Sequence, residues 1–368
     1  MKKFLRRILA VAVVVGALSE IAVAADILPV WLPKPPVPAD NPQSAEKAEL
    51  GRRLFYDTRL SADGSMACAT CHQHARAFTD GRKVPVGVTG QAAPRNVPSL
   101  ANVGYLPVLT WAHPRLTRLE AQLEIPLFGT APVEMGMAGR ERDLLRLFRE
   151  DPDYRRRFLD IFGEISLAAM AKALAAFERT LISANAPYDR YLHDGEEDAL
   201  SPAAKRGMAL FFDDRLNCFQ CHTGPHLAGA FSREGLPFAE IAFHNIGLYN
   251  IGGSGRYPAD NQGLYEHTGK QEDRGRFRAP SLRNVAVTAP YMHDGSVATL
   301  AEVIDIYAAG GRAIAAGPLA GDGRAHPQKS SFIKGFTLTP SEKADLLAFL
   351  DSLTDQEFLE NPAFGSPP

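Results

Sequence analysis

Apolar residues recur at spacings of three and four in several parts of the chain, which is the pattern of helices that bury one face. The clearest stripes are Leu167, Met170, Leu174, Phe177 and Leu181, and then Leu346, Phe349, Leu350 and Leu353. Alternating apolar and polar runs, which would predict strands, are few. The pattern predicts a mainly α protein in which these side chains form the core.

Helix starts and loops are also visible. Thr339, Pro340 and Glu342 open the second stripe as a capping box with proline in the first turn. Segments 84–108 and 225–290 are rich in Gly and Pro but keep aromatic and aliphatic residues throughout. We expect these segments to be long ordered loops, because disordered segments are poor in such side chains.

The N-terminus has the pattern of a secretory signal peptide. Four basic residues precede an apolar run from Ile8 to Leu18, and a small-residue site ends at Ala24. The run is too short for an ordinary membrane span, and no later segment offers about 18 continuous apolar residues. We therefore expect residues 1–24 to be removed and the mature protein to lie in a bacterial periplasm without a membrane span.

Charge excludes one class of partner. The formal net charge is −2, and loss of residues 1–24 removes four basic groups and Glu20, which leaves −5. No basic stripe remains to displace counterions from phosphates, so we expect no nucleic-acid partner. The remaining length suits two domains.

All four cysteines lie in two copies of one motif, Cys68-Ala69-Thr70-Cys71-His72 and Cys218-Phe219-Gln220-Cys221-His222. In this motif two thiols add across the haem vinyl groups and the adjacent histidine ligates the iron. The sequence therefore predicts two covalently bound haem c groups. The alternative is a zinc site, for which both cysteine pairs would have to converge and the histidines would have no role.

The segments before the two motifs resemble each other. From Gly51 to Leu60 and from Gly207 to Leu216, the residues Gly, Leu, Phe, Asp, Arg and Leu recur in register. Chance similarity between two amphipathic helices would fix the apolar positions but not the shared Gly, Asp and Arg. We predict two cytochrome c-like haem domains related by duplication, residues 25–195 and 196–368, each with a short helix that leads into a haem loop.

Residues 283–295, which read RNVAVTAPYMHDG, closely resemble the bacterial dihaem cytochrome c peroxidases and their MauG-type relatives. The resemblance extends from about residue 45 to residue 355. In the peroxidases a methionine fourteen residues after the motif histidine ligates the second haem, whereas MauG-type enzymes carry tyrosine there. Here His293 plus fourteen is Tyr307. The resemblance implies that Tyr307 ligates the haem held by His222 and that His293 contacts a haem propionate.

A phenolate is a hard anion that favours highly oxidised iron, whereas a thioether favours ferrous iron. The haem held by His72 would then be the one that meets peroxide. Family peroxidases block this haem with a loop histidine, but residues 86–89 offer no imidazole. The resemblance implies a distal carboxylate at Glu134 and an amide at Gln122, because cleavage of the O–O bond needs a group that removes and returns a proton.

The resemblance places Trp111 between the haems as an electron relay. MauG has a second tryptophan two residues before its second haem motif, where this chain has Leu216. Residues 110–114 and 126–134 are most similar to the MbnH-type branch, which is associated with methanobactin and copper-handling gene clusters. The family also binds calcium between the haems, and Asn96, Thr288 and Pro290 occupy the matching positions.

Three function classes follow. In the first, the enzyme reacts with hydrogen peroxide, reaches a doubly oxidised (bis-ferryl) state and converts a tryptophan to kynurenine on a secreted partner, such as an MbnP-like copper-binding protein. The second is a scavenging peroxidase fed by a small cytochrome or cupredoxin, and the third is a pure electron carrier. Tyr307 argues against the second class, and an open first haem argues against the third.

Overall fold

The computed structural model describes residues 28–236, 239 and 241–368, so the predicted signal peptide lies outside the described residues. The helices are α1 Ala45–Tyr56, α2 Cys68–Cys71, α3 Leu119–Gln122, α4 Glu124–Phe128, α5 Glu141–Glu150, α6 Pro152–Phe162, α7 Leu167–Glu178, α8 Pro187–His193, α9 Pro202–Phe211, α10 Tyr265–Thr268, α11 Leu300–Ala308, α12 Pro340–Asp351 and α13 Gln356–Glu360. Two antiparallel pairs of short strands complete the fold: β1 Phe243–His244 with β2 Phe277–Arg278, and β3 Ala313–Ile314 with β4 Gly321–Asp322. The mainly α prediction is confirmed.

Helix α1 crosses α7 at a glycine. A Cβ on Gly51 would lie 1.9 Å from the carbonyl oxygen of Ala173, so only glycine permits this approach. The stripe residues Met170, Leu174 and Phe177 are buried in this contact. The helix ends at Glu178, earlier than the stripe predicts, and the buried Leu181 lies beyond its end.

Helices α9 and α12 cross in the same way. A Cβ on Gly207 would lie 1.9 Å from the carbonyl oxygen of Asp345 and 2.9 Å from the Cβ of Phe349. The predicted capping box is present: the Glu342 amide donates to Thr339 Oγ1 at 3.2 Å, and the Thr339 amide donates to the Glu342 carboxylate at 2.8 Å. Each helix pair therefore leads into one of the two haem motifs.

The first hydrophobic core does not stop at the predicted domain boundary of residue 195. Phe358 and Phe364 are buried in it together with residues of α1 and α7. The Tyr56 hydroxyl donates to the carbonyl oxygen of Phe364 at 2.7 Å, and His74 Nε2 lies 2.7 Å from that of Phe358. The segment that begins with α13 thus packs back onto the first half of the chain.

The segments that surround the sites contain little regular structure. Residues 84–108 hold one 3-10 turn, Val103–Tyr105. The described part of 225–290 holds β1, β2, α10 and two 3-10 turns, Gln271–Asp273 and Val285–Val287. Among the residues described, no helix is both long enough and apolar enough to span a membrane.

Candidate functional site

The first haem motif forms the one-turn helix α2, followed by a histidine that the backbone orients. The Nδ1–H of His72 donates to the carbonyl oxygen of Phe78 at 2.8 Å, which leaves the Nε2 lone pair available to a metal. Burial lowers the pKa of His72 to about 4, so the imidazole is neutral, as a ligand must be. Burial also raises the pKa of the Cys68 thiol to about 12 and that of Cys71 to about 11.

The second motif repeats this arrangement. Its first three residues form a 3-10 turn, and the Nδ1–H of His222 donates to the carbonyl oxygen of Leu227 at 2.9 Å. Burial lowers the pKa of His222. In the described part of the chain, no group of three or more His, Cys, Asp or Glu side chains is arranged to hold a metal ion, so the convergence of both cysteine pairs that a zinc site requires is not seen there.

A large cavity surrounds His222. It has a volume of about 1750 Å³, part of which is open to solvent, and Cys218 and Cys221 both line it. One face of α11 forms part of its wall through Leu300, Val303, Ile304 and Tyr307, which are spaced three and four apart. The cavity brings two thiols, a neutral imidazole and a phenol to one space, which fits the donor set of a covalently attached haem.

Tyr307, which the resemblance implies as an iron ligand, lines the same cavity as His222. Burial raises its pKa well above the usual value, and the nearby thiols of Cys221 and Cys218 add to the shift. Its half-buried side chain lines the cavity, and its hydroxyl takes part in none of the hydrogen bonds between described residues. Met292 also lines the cavity but packs on the Trp111 side of the wall. Ligation by Tyr307 stays a prediction.

Trp111 and His293 are both hydrogen-bonded to the backbone of Asn96. Trp111 is 8% exposed, lines the same cavity and donates from Nε1 to the carbonyl oxygen of Asn96 at 2.8 Å. The Asn96 amide donates to the carbonyl oxygen of His293 at 2.8 Å. The His293 ring stacks on Phe277 with centroids 3.6 Å apart, burial lowers its pKa to about 3, and its Nε2 has no partner among the described residues.

The predicted calcium ligands Asn96, Thr288 and Pro290 all line this cavity. The side-chain nitrogen of Asn96 donates to the carbonyl oxygens of Arg82 and Lys83, at 2.8 and 3.3 Å, so its amide oxygen remains available. The structure thus brings the three residues to one space. Calcium binding itself stays a prediction.

Glu134 lies beside the first haem motif. Burial raises the pKa of Glu134. Burial is also the main cause of the raised pKa values of the Cys68 and Cys71 thiols, and the charge of Glu134 makes a smaller contribution. The loop of residues 86–89, which contains no histidine, packs against the segment of Glu134. Gly87 permits this contact, because a Cβ there would be 2.0 Å from the carbonyl oxygen of Val133. The Val88 amide donates to the Glu134 carbonyl oxygen at 2.8 Å.

Gln122 has weaker structural support. It ends α3 with a half-buried side chain, and the described hydrogen bonds do not connect that side chain to Glu134. Its distal role stays a prediction.

Sequence reasoning missed Arg278, which lines the cavity of the second haem motif. Its Nε donates to the carbonyl oxygen of Thr110 at 2.6 Å, and it forms no ion pair with the described residues. Burial lowers its pKa to about 10, so it stays charged at neutral pH. A buried cation of this kind suits a haem propionate. Sequence could not reveal this arginine, because it belongs to no recognisable motif and reaches the cavity only through the fold.

Comparison with known proteins agrees with this geometry. The sequence profile of the family described as di-haem cytochrome c peroxidase matches residues 45–198. The chain is 37% identical to cytochrome-c peroxidase IdrP1 of Denitromonas iodatirespirans, over 96% of this chain and 93% of that protein. It is 36% identical to the methylamine utilization protein MauG of Methylophilus methylotrophus, over 86% and 85%. A crystallised MauG-like protein associated with microbial copper homeostasis is 51% identical, with a TM-score of 0.90 over 93% of this chain and 98% of that one.

Proposed function

The chain belongs to the di-haem cytochrome c peroxidase family and is a peroxide-dependent dihaem oxidoreductase, and from that premise we propose that it oxidises a residue on a secreted partner protein. The residue we propose is tryptophan, converted to kynurenine. We place the reaction in the periplasm, after removal of residues 1–24.

The observation that carries the proposal is the position of Tyr307. A phenol that lines the same cavity as His222, Cys218 and Cys221 supports ligation of the second haem by oxygen. An anionic oxygen ligand favours oxidised iron, so this haem is suited to keep an oxidising equivalent and poorly suited to be reduced to the ferrous state by a cytochrome before peroxide is added. When bound, the two haems together can hold the two oxidising equivalents that one molecule of hydrogen peroxide delivers.

At the first site, the proposed task of Glu134 is proton transfer. Its raised pKa holds it nearer to neutrality than an ordinary glutamate, which suits a group that takes a proton from bound peroxide and returns it to the leaving oxygen. Gln122 is proposed to orient the same peroxide. His72 and His222 hold the irons, and Trp111 relays electrons between the two sites along the cavity wall that it shares with Asn96.

Arg278 and His293 are proposed to hold haem propionates, and Asn96, Thr288 and Pro290 to bind calcium. We propose further that the two halves, 25–195 and 196–368, arose by duplication. The matched helix crossings at Gly51 and Gly207 support this, since each places a carbonyl oxygen 1.9 Å from the missing Cβ.

The relative associated with copper homeostasis covers almost the whole chain at 51% identity. It supports a copper-handling partner, similar to the MbnP-like copper-binding proteins that accompany the MbnH-type branch. A second function remains in contention because the relatives named cytochrome-c peroxidase are as similar as MauG and also cover nearly the whole chain. That function is peroxide scavenging with a small cytochrome or cupredoxin as donor.

One experiment separates the two functions. Peroxide is added to the ferric protein without any reductant, and both haems are followed by absorption and Mössbauer spectroscopy. We expect long-lived oxidation of both irons. Inertness until one haem has been reduced would favour the scavenging peroxidase.

Two variants test the ligand. Tyr307→Met should raise the reduction potential of the second haem and abolish the doubly oxidised state. Tyr291→Phe is the matched control, because that hydroxyl also faces the cavity but donates to the carbonyl oxygen of Val285 at 3.0 Å. The control should leave the ferric ligand spectrum unchanged. A Tyr307→Met protein with the wild-type potential would refute the assignment.

A further inference from the structure

Trp31 lies at the surface beside the second haem site. The chain has two tryptophans, and the other, Trp111, is buried. The half-buried indole of Trp31 stacks on the imidazole of His193 with ring centroids 4.0 Å apart and planes 11° apart. Val30 and Leu192 next to this pair are exposed, Leu192 by 50%. We call Val30, Trp31, Leu192 and His193 the indole patch.

One buried side chain connects the indole patch to the second haem site. The guanidinium carbon of Arg283 lies 5.8 Å from the centroid of the Trp31 ring, and Arg283 itself is 1% exposed and lines the haem cavity. Arg283 also donates to the carbonyl oxygen of Pro225 at 2.6 and 3.0 Å. Pro225 belongs to the loop whose Leu227 carbonyl orients His222. A single layer of protein therefore separates the indole from the haem-binding loop.

The position at which MauG carries a tryptophan cannot provide an exit for electrons here. Leu216 is 5% exposed, aliphatic and part of the cavity wall. Indole and phenol rings give up an electron far more readily than aliphatic side chains or phenyl rings. For a partner too large to enter the cavity, such a ring at the surface offers a route for electrons, and Trp31 is placed for that role.

We propose that Trp31 passes electrons from a docked partner protein to the second haem site and that the indole patch is where the partner docks; this inference rests on the proposed function. In each pass Trp31 gives one electron to the oxidised haem pair and becomes a radical cation. An aromatic residue of the partner then gives one electron to Trp31 and loses a proton to solvent. Two passes supply the two electrons that hydrogen peroxide takes up, with two protons, to form two waters.

The environment of Trp31 favours a reversible carrier. Its Nε1–H is buried and has no hydrogen-bond partner among the described residues, so none of them is placed to accept that proton along a hydrogen bond when the ring is oxidised. The positive charge of Arg283 is balanced by a buried ion pair with Asp189. Burial lowers the pKa of His193, which keeps the stacked imidazole neutral at neutral pH.

The chain that directly follows the patch is acidic, which indicates the chemistry of the partner. Four exposed carboxylates follow His193 in the chain: Asp194, Glu196, Glu197 and Asp198. Arg190 and Lys205 pair with two of them, at 3.2 and 3.0 Å, which leaves a net charge of −2 on this group. We expect a partner that presents an exposed tryptophan or tyrosine ringed by lysine or arginine, and association that weakens as salt is added.

The test uses the holoprotein and a defined probe, a reduced monohaem cytochrome c of basic isoelectric point, with ferrocyanide as a small donor that reaches a haem edge directly. After oxidation with peroxide, Trp31→Phe should accept electrons from the cytochrome at least tenfold more slowly than wild type, with no change in the ferrocyanide rate. Trp31→Tyr should restore much of the cytochrome rate. Leu159→Ala, which removes a similarly exposed apolar side chain from α6, should behave as wild type.

A second readout does not depend on turnover with a donor. Wild-type protein treated with excess peroxide and no donor should carry oxygen adducts on Trp31, mapped by peptide mass spectrometry, and freeze-quenched samples should show an organic radical that Trp31→Phe lacks. A cytochrome rate for Trp31→Phe equal to wild type, or Trp31 left unmodified, would overturn the exit route while the proposed function stands. If wild type forms no doubly oxidised state at all, both fall.

Discussion

The glycine at the crossing of α9 and α12 can be tested by a change that would ordinarily stabilise a helix. Gly207→Ala places a methyl group 1.9 Å from the carbonyl oxygen of Asp345, about 1.5 Å closer than the 3.4 Å of an ordinary contact. That oxygen belongs to the backbone of α12, so a side-chain rotation cannot relieve the clash. The helices must move apart, and α12 carries Leu346 and Leu350, which line the second haem cavity.

The expected magnitude follows from two opposing terms. Alanine is about 1 kcal/mol more favourable than glycine inside a helix. Overpacking of a tight interface costs about 1–3 kcal/mol and occasionally more, and a displacement of this size through backbone belongs to the upper part of that range. We expect a net loss of about 2 kcal/mol, which lowers the melting temperature by roughly 4–8 °C for a domain of this size.

The assay is thermal unfolding followed in the far-UV and in the Soret band, which also reports on the haem environment. Ala209→Gly is the matched control, because Ala209 is exposed on the same helix and the change measures helix propensity alone. A Gly207→Ala protein that melts at or above the wild-type temperature, with an unchanged Soret band, would refute the reasoning.

Three further predictions concern buried charges. Glu134→Gln should slow the peroxide reaction by about 10²–10⁴ and remove the loss of rate that wild type shows as pH falls through the raised pKa of Glu134, measured by stopped flow. Burial raises the pKa of Glu178 to about 8, so the folded state keeps a proton that the unfolded state loses at about pH 4.5. The free energy of unfolding should therefore fall as pH rises between these two values, by at most about 5 kcal/mol. Glu178→Gln should flatten that dependence in melting curves from pH 5 to 9. Arg278→Gln should lower the reduction potential of the second haem in a spectroelectrochemical titration, because a buried positive charge favours the reduced iron.

Each of these three predictions has an outcome that would contradict it. An unaltered pH profile in Glu134→Gln would assign the proton transfer to another group. A wild-type protein whose melting temperature is constant between pH 5 and 8 would mean that Glu178 is solvated in the folded state. An unchanged potential in Arg278→Gln would place its guanidinium away from the haem.

The features predicted from sequence are those that neighbouring residues determine. The Thr339 capping box and the stripe of α7 depend on contacts within a few residues, and the haem motifs are contiguous. The resemblance added Tyr307, and the fold brings its side chain to the same cavity as His222, which lies far from it in sequence. No neighbouring residue marks Arg278 as buried, because an arginine in a predicted loop is expected to be solvated, whereas the fold places it in β2 at the cavity.

The early end of α7 has a similar explanation. Leu181 continues the three-and-four spacing, but the helix stops at Glu178 and Leu181 is buried from an irregular segment. Periodicity records which side chains are buried, whereas the end of the helix depends on competing backbone hydrogen bonds: the Leu181 carbonyl oxygen accepts from the Asn102 amide at 2.7 Å. That partner is distant in sequence and cannot be read from the stripe.

Because Phe358 and Phe364 pack in the first core, that core cannot be completed until the end of the chain has been synthesised. Cys68 leaves the ribosome about 290 residues ahead of Phe358. Until that late segment arrives, the core against which Cys68 and Ala69 pack lacks Phe358 and Phe364. We therefore expect the first half of the chain to reach its final packing only after the second haem motif, residues 218–222, has also been synthesised.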